Sequence, residues 1–81
     1  MESTDRAYLK KEIIGIIEHQ VREGDPPETR QALDRLLAAG YPREAALERL
    51  GAALVEEIGG MLRERRGFDR RHFRALLERL A

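Results

Sequence analysis

The feature that most restricts this chain is a run of large apolar residues, Leu47, Leu50, Leu54, Ile58, Met61 and Leu62, spaced mostly by three and four. In a strand, where successive side chains point to opposite faces, that spacing would scatter them. A helix of 3.6 residues per turn gathers them on one side. The phase carries through Gly59 and Gly60, so the spacing predicts one continuous helix over about 43–65 with at most a local bend at the glycine pair. Gly51 projects into the middle of the apolar arc, which marks it as a point where a neighbouring helix crosses closely.

The rest of the chain is punctuated at three corners. Ser3, Thr4 and Asp5 offer capping oxygens ahead of Leu9, Ile13, Ile16, Ile17 and Val21, whose spacing predicts a first helix over about 5–23. In the stretch GDPPE, Gly24 suits the end of that helix. Asp25 then suits an N-cap, Pro26 the first helical position and Glu28 the third. A second helix is expected over about 26–39, passing through Leu33, Leu36 and Leu37 to Gly40, with Tyr41 as the apolar lid of its closure. Phe68, Asp69 and Phe73 have the pattern of a hydrophobic staple around a capping aspartate. They open a fourth helix over about 69–80 that buries Phe73, Leu76, Leu77 and Leu80. The fold class is therefore all-α, a compact four-helix domain over 1–81 in which the long third helix is central and helices 1 and 4 cover its two sides.

The core of such a domain is small. Ten of the 34 residues counted as hydrophobic are alanine, and a single core at this size rarely supplies more than about 3 to 5 kcal/mol. Burial is then expected to be completed by a homo-oligomer or another partner. Helix 1 adds to that expectation because its apolar arc spans roughly 160°, with Ile14 and Val21 widening one edge. Ala45, Ala52 and Gly59 recur every seven residues on helix 3, as do Ala46, Ala53 and Gly60, giving tracks that admit a second helix closely. Ile14, Val21, Ala45, Ala52 and Gly59 are the candidate self-association residues.

Charge is balanced overall, with 15 basic and 15 acidic groups, which is unlike a protein that coats a polyanion. It is unevenly distributed: residues 63–81 hold seven Arg against three acids, whereas residues 1–62 hold eight basic and twelve acidic groups. Arg63, Arg65 and Arg66 complement the negative end of helix 3, but Arg70 and Arg71 sit in the first turn of helix 4, where the dipole disfavours cations. Arg63, Arg66, Arg70, Arg71 and Arg74 are therefore candidate partner-binding residues for an acidic protein surface, including the negative half of a second copy. The alternative is a nucleic-acid accessory role for the same corner. No Trp or exposed aromatic array is interleaved with these arginines to stack bases. The helix 2 to helix 3 turn has the outline of a helix-turn-helix, yet Glu44 and Glu48 stand where a recognition helix would meet phosphates.

No catalytic, cofactor-binding or metal-binding residue is expected. The absence of Cys excludes disulfides, thiolate metal centres and a cysteine nucleophile. His19 and Glu23 offer two ligands without a recognisable third, and Ser3, Thr4 and Thr29 occupy terminal or cap-like positions. No apolar run approaches the roughly 18 residues of a membrane span, and the N-terminal MESTDR is polar, so a cytoplasmic protein without a membrane partner is expected.

Two resemblances follow from motifs. The segment LLAAGYPREAALERL resembles the ubiquitin-associated domain, whose Gly-Phe/Tyr loop between two short helices helps form a hydrophobic binding patch. Ala39 stands where that domain usually has Met. From His19 to Leu80, the order H-Q, D-P-P-E, L-x-x-L-x-x-x-G-Y, E-A, G-A-x-L-V-E-E-I and G-F-D resembles a group of small all-helical bacterial proteins of unknown function. Pro42 stands where that pattern more often has a capping Ser. This resemblance implies a helical fold and carries no activity with it.

Overall fold

The computed structural model describes the backbone of residues 2–80 and the side chains of residues 9–80. Four helices follow in order: α1 Glu2–Glu23, α2 Pro27–Ala38, α3 Arg43–Glu64 and α4 Arg70–Glu78. Among the described residues there is no strand. Helix α1 begins three residues before the expected start at 5, since no Pro or Gly interrupts it ahead of Gly15. The expected capping side chains of Ser3, Thr4 and Asp5 lie outside those described.

Helix α2 begins one residue late because a residue that precedes proline is pushed out of the helical region. Pro26 precedes Pro27, adopts φ −72° and ψ 148°, and becomes the N-cap with no side-chain bond, so Asp25 does not cap this helix. Helix α4 keeps its expected cap, with the Asp69 carboxylate accepting from the His72 backbone N–H at 3.1 Å. The staple is formed as well: the Phe68 and Phe73 rings meet edge to face with centroids 5.3 Å apart.

Helices α1, α2 and α3 end alike. The N–H of Asp25 reaches the Gln20 carbonyl, that of Tyr41 the Leu36 carbonyl and that of Arg66 the Met61 carbonyl, each at 3.1 Å. The residue at each reversal is left-handed, with φ 68° at Gly24, 99° at Gly40 and 51° at Arg65. Glycine adopts that region freely, whereas the β-carbon of Arg65 makes it cost about 1 to 2 kcal/mol.

Helix α3 runs unbroken through Gly59 and Gly60, and α1 and α4 pack on it from separate sides. Helix α2 shares the centre, since it also touches all three other helices. Ile17, Leu36, Leu50, Phe73 and Leu77 from the four helices are wholly buried or nearly so. Each contributes about 1.5 to 3 kcal/mol of transfer free energy. The α1/α3 crossing falls at Gly51, where a β-carbon would stand 3.1 Å from Ile13 Cγ2. The buried hydroxyl of Thr29 donates to Gln20 Oε1 at 2.8 Å and ties α2 to α1.

Candidate functional site

The arginine-rich corner is organised by an acid. Glu57 lies on the core side of α3 in phase with Leu50, Leu54 and Met61, and is completely buried. Its carboxylate accepts from Arg66 Nη1 at 2.7 Å and Nη2 at 3.1 Å, from the Asp69 backbone N–H at 2.8 Å and from His72 Nδ1 at 2.5 Å. Four donors fill the acceptor capacity of the two oxygens, which is what a buried carboxylate requires. Arg66 first, then His72 and the Asp69 N–H, hold the Glu57 carboxyl down to about 2 against the opposing effect of burial. Arg66 is raised in turn by Glu57 and by Glu64, whose Oε1 it reaches at 2.6 Å.

This network gives the glycine pair its reason. A β-carbon on Gly60 would stand 2.6 Å from Arg66 Nη2, and one on Gly59 would stand 3.0 Å from Arg63 Nη1. Arg66 lies over Gly60 and Arg63 over Gly59, where side chains are missing. Gly59 is therefore covered by its own chain.

The other candidate arginines divide. Arg70 Nη2 pairs with Glu28 at 3.1 Å, which joins α4 to the first turn of α2, and Arg74 Nε pairs with Glu78 at 3.3 Å. Glu28 is held below the usual carboxylate range, first by its own backbone N–H at the helix start and then by Arg70. Among the described residues neither Arg63 nor Arg71 forms an ion pair. The five arginines therefore do not form one free basic surface: Arg66, Arg70 and Arg74 each hold an acid of the same chain.

The apolar surface lies elsewhere. A solvent-open groove of about 260 Å³ runs between α1 and α3, lined by Leu9, Ile13, Ile14, Gly51, Ala52 and Val55 and rimmed by Lys10 and Glu48. Leu9 is 61% exposed and Val55 53% exposed, although both are large apolar residues. Of the candidate self-association residues, Ile14 and Ala52 both line this groove, Ile14 and Val21 pack against the core, and Ala45 is half-buried. On α1, Leu9 and Ile16 are exposed, whereas Ile14 and Val21 are partly buried against the core. The second alanine track is internal, with Ala46 and Ala53 in the core and Gly60 beneath Arg66.

Residue periodicity misses both Glu57 and the Lys10 and Glu48 rim. An acid inside the Leu50, Leu54 and Met61 stripe is the signal that would have found the first. Among the described residues no three acids or histidines cluster as metal ligands, and His19 Nδ1 lies 3.3 Å from Arg22 Nη2. No helix among them is long and apolar enough to cross a membrane. Compared with known protein families, curated proteins and solved structures, the chain finds no match.

Proposed function

We propose that this protein is a non-catalytic, cytoplasmic interaction module that self-associates through the groove between α1 and α3. The observation that carries the proposal is that one surface holds both the exposed large side chains Leu9 and Val55 and the small exposed residue Ala52. A two-fold interface brings a patch against itself, so it must contain its own knobs and holes. A groove suited to an unrelated helix needs only the holes.

Burial of Leu9 and Val55 alone does not hold a dimer at micromolar concentration, so contacts beyond these two side chains must contribute. Two copies would cover four side chains that are each about half exposed, worth roughly 3 to 6 kcal/mol. That is near the lower end of the roughly 4 to 15 kcal/mol lost on immobilising two bodies. Ile16 on α1 and Leu62 on α3 are further exposed apolar residues, outside the groove lining.

Ala52→Glu tests the proposal, since Ala52 is exposed and glutamate suits a helix. In size-exclusion chromatography at high micromolar concentration, the unaltered chain should elute ahead of the variant, with equal helicity by circular dichroism. Equal elution at the position of a 9.3 kDa species for both chains would contradict it.

A further inference from the structure

The rim of the α1/α3 groove carries one charge of each sign. Lys10 on α1 and Glu48 on α3 form an ion pair across the groove mouth, with side chains 60% and 41% exposed. Glu44, one turn before Glu48, adds a weaker attraction on Lys10. A pair this exposed contributes little to the stability of a single chain. Nor is it needed to seat α1 on α3, which the close approach of Ile13 to Gly51 already does. Its position beside exposed Leu9 and Val55 gives it a different use.

In an isologous dimer every contact occurs twice, once in each sense. A face-to-face two-fold axis lies in the plane of the interface, and its direction there decides which charges meet. An axis along the groove reverses the direction from Lys10 to Glu48, so each lysine stands over the glutamate of the other copy. An axis across the groove keeps that direction and sets lysine over lysine and glutamate over glutamate, an arrangement like charges oppose.

We infer that the Lys10 and Glu48 pair fixes the orientation of self-association: the ligand of this groove is a second copy of the chain, docked about an axis along the groove so that four alternating charges close into a ring. The inference rests on the self-association proposed above and adds the register and its determinant.

The test uses two single variants, Lys10→Glu and Glu48→Lys, alone and mixed in equal amounts, by sedimentation velocity at low ionic strength where such charges are least screened. Each variant alone sets like charges against each other twice in the docked pair, and its dimerisation should weaken by about tenfold or more. The mixture should regain association, because each copy then offers the other its opposite charges at both contacts. Both variants keep their internal like-charge repulsion when mixed, so recovery reports contacts between copies alone. Circular dichroism establishes that each variant is folded. Weakening of each single variant together with recovery of the mixture to the affinity of the unaltered chain supports the inference, because an axis across the groove would leave the single variants unweakened and make the mixture tighter than the unaltered chain. Single variants that associate as well as the unaltered chain, or a mixture that stays as weak as its components, overturn the orientation while leaving self-association standing. An unaltered chain that remains monomeric overturns both.

Discussion

The guanidinium of Arg66 lies over Gly60, at a point where any β-carbon would stand 2.6 Å from Nη2, and from there it holds both carboxylate oxygens of Glu57. A helix-weakening residue and a buried charge are thus parts of one device. Gly60 clears the space, Arg66 neutralises Glu57, and Glu57 also receives the Asp69 N–H and His72, which fixes the turn into α4. The chain folds back because one acid collects donors from residues 66, 69 and 72.

Gly60→Ala and Gly15→Ala should act in opposite directions although both remove a glycine from a helix. At Gly15 nothing lies within 4 Å of the added carbon, so the substitution should raise stability by about 0.5 to 1 kcal/mol. At Gly60 the same gain is outweighed by displacing charge-assisted bonds worth about 1.5 to 3 kcal/mol each, and stability should fall. Urea midpoints of the two variants decide this, and a rise at both positions would refute the role given to Gly60.

Removing the acid should cost more than removing the glycine. Glu57→Ala should lower stability by about 3 kcal/mol, because it strips partners from Arg66, His72 and the Asp69 N–H together. Arg66→Ala should also destabilise. The double variant should be less unstable than the sum of the two, by about 2 kcal/mol in a double-mutant cycle. Additive effects would mean that the pair is not coupled.

Acid should act through the same carboxylate. Its folded value of about 2 lies below the ordinary value of 4.5, so its contribution is fully present above pH 4.5 and is lost as pH falls through about 2. Glu57→Gln should therefore flatten the loss of stability in that window, as followed by urea midpoints at successive pH values. An unchanged slope would assign acid sensitivity to other carboxylates.

Much of this structure is legible in the sequence, and the limits are physical. Helix spacing reveals four helices, the unbroken passage through Gly59 and Gly60, the crossing at Gly51 and the Phe68 and Phe73 staple, because each depends on residues within a few turns. Glu57 escapes because its partners lie nine to fifteen residues onward, beyond a reversal whose geometry no periodicity encodes. The apolar width of α1 is legible, but which of its apolar residues stay exposed depends on its packing against the other helices. The basic corner reads as a surface until the acids Glu28, Glu57 and Glu78 are placed beside its arginines.

Arg65 offers a local check on the helix end. It is left-handed at φ 51° where glycine is the unstrained choice. Arg65→Gly should raise stability by about 0.5 to 1 kcal/mol, and Arg65→Ala should change it little, since alanine keeps the β-carbon. Thermal denaturation of the two variants separates backbone strain from loss of charge, and equal effects would assign the change to charge.

Sedimentation equilibrium of the unaltered chain, from low micromolar to millimolar concentration, tests self-association through the α1/α3 groove most directly. The weight-average mass should climb from 9.3 kDa towards twice that value and then level off, because a two-fold contact is closed. A mass that stays at 9.3 kDa across the whole range would contradict it.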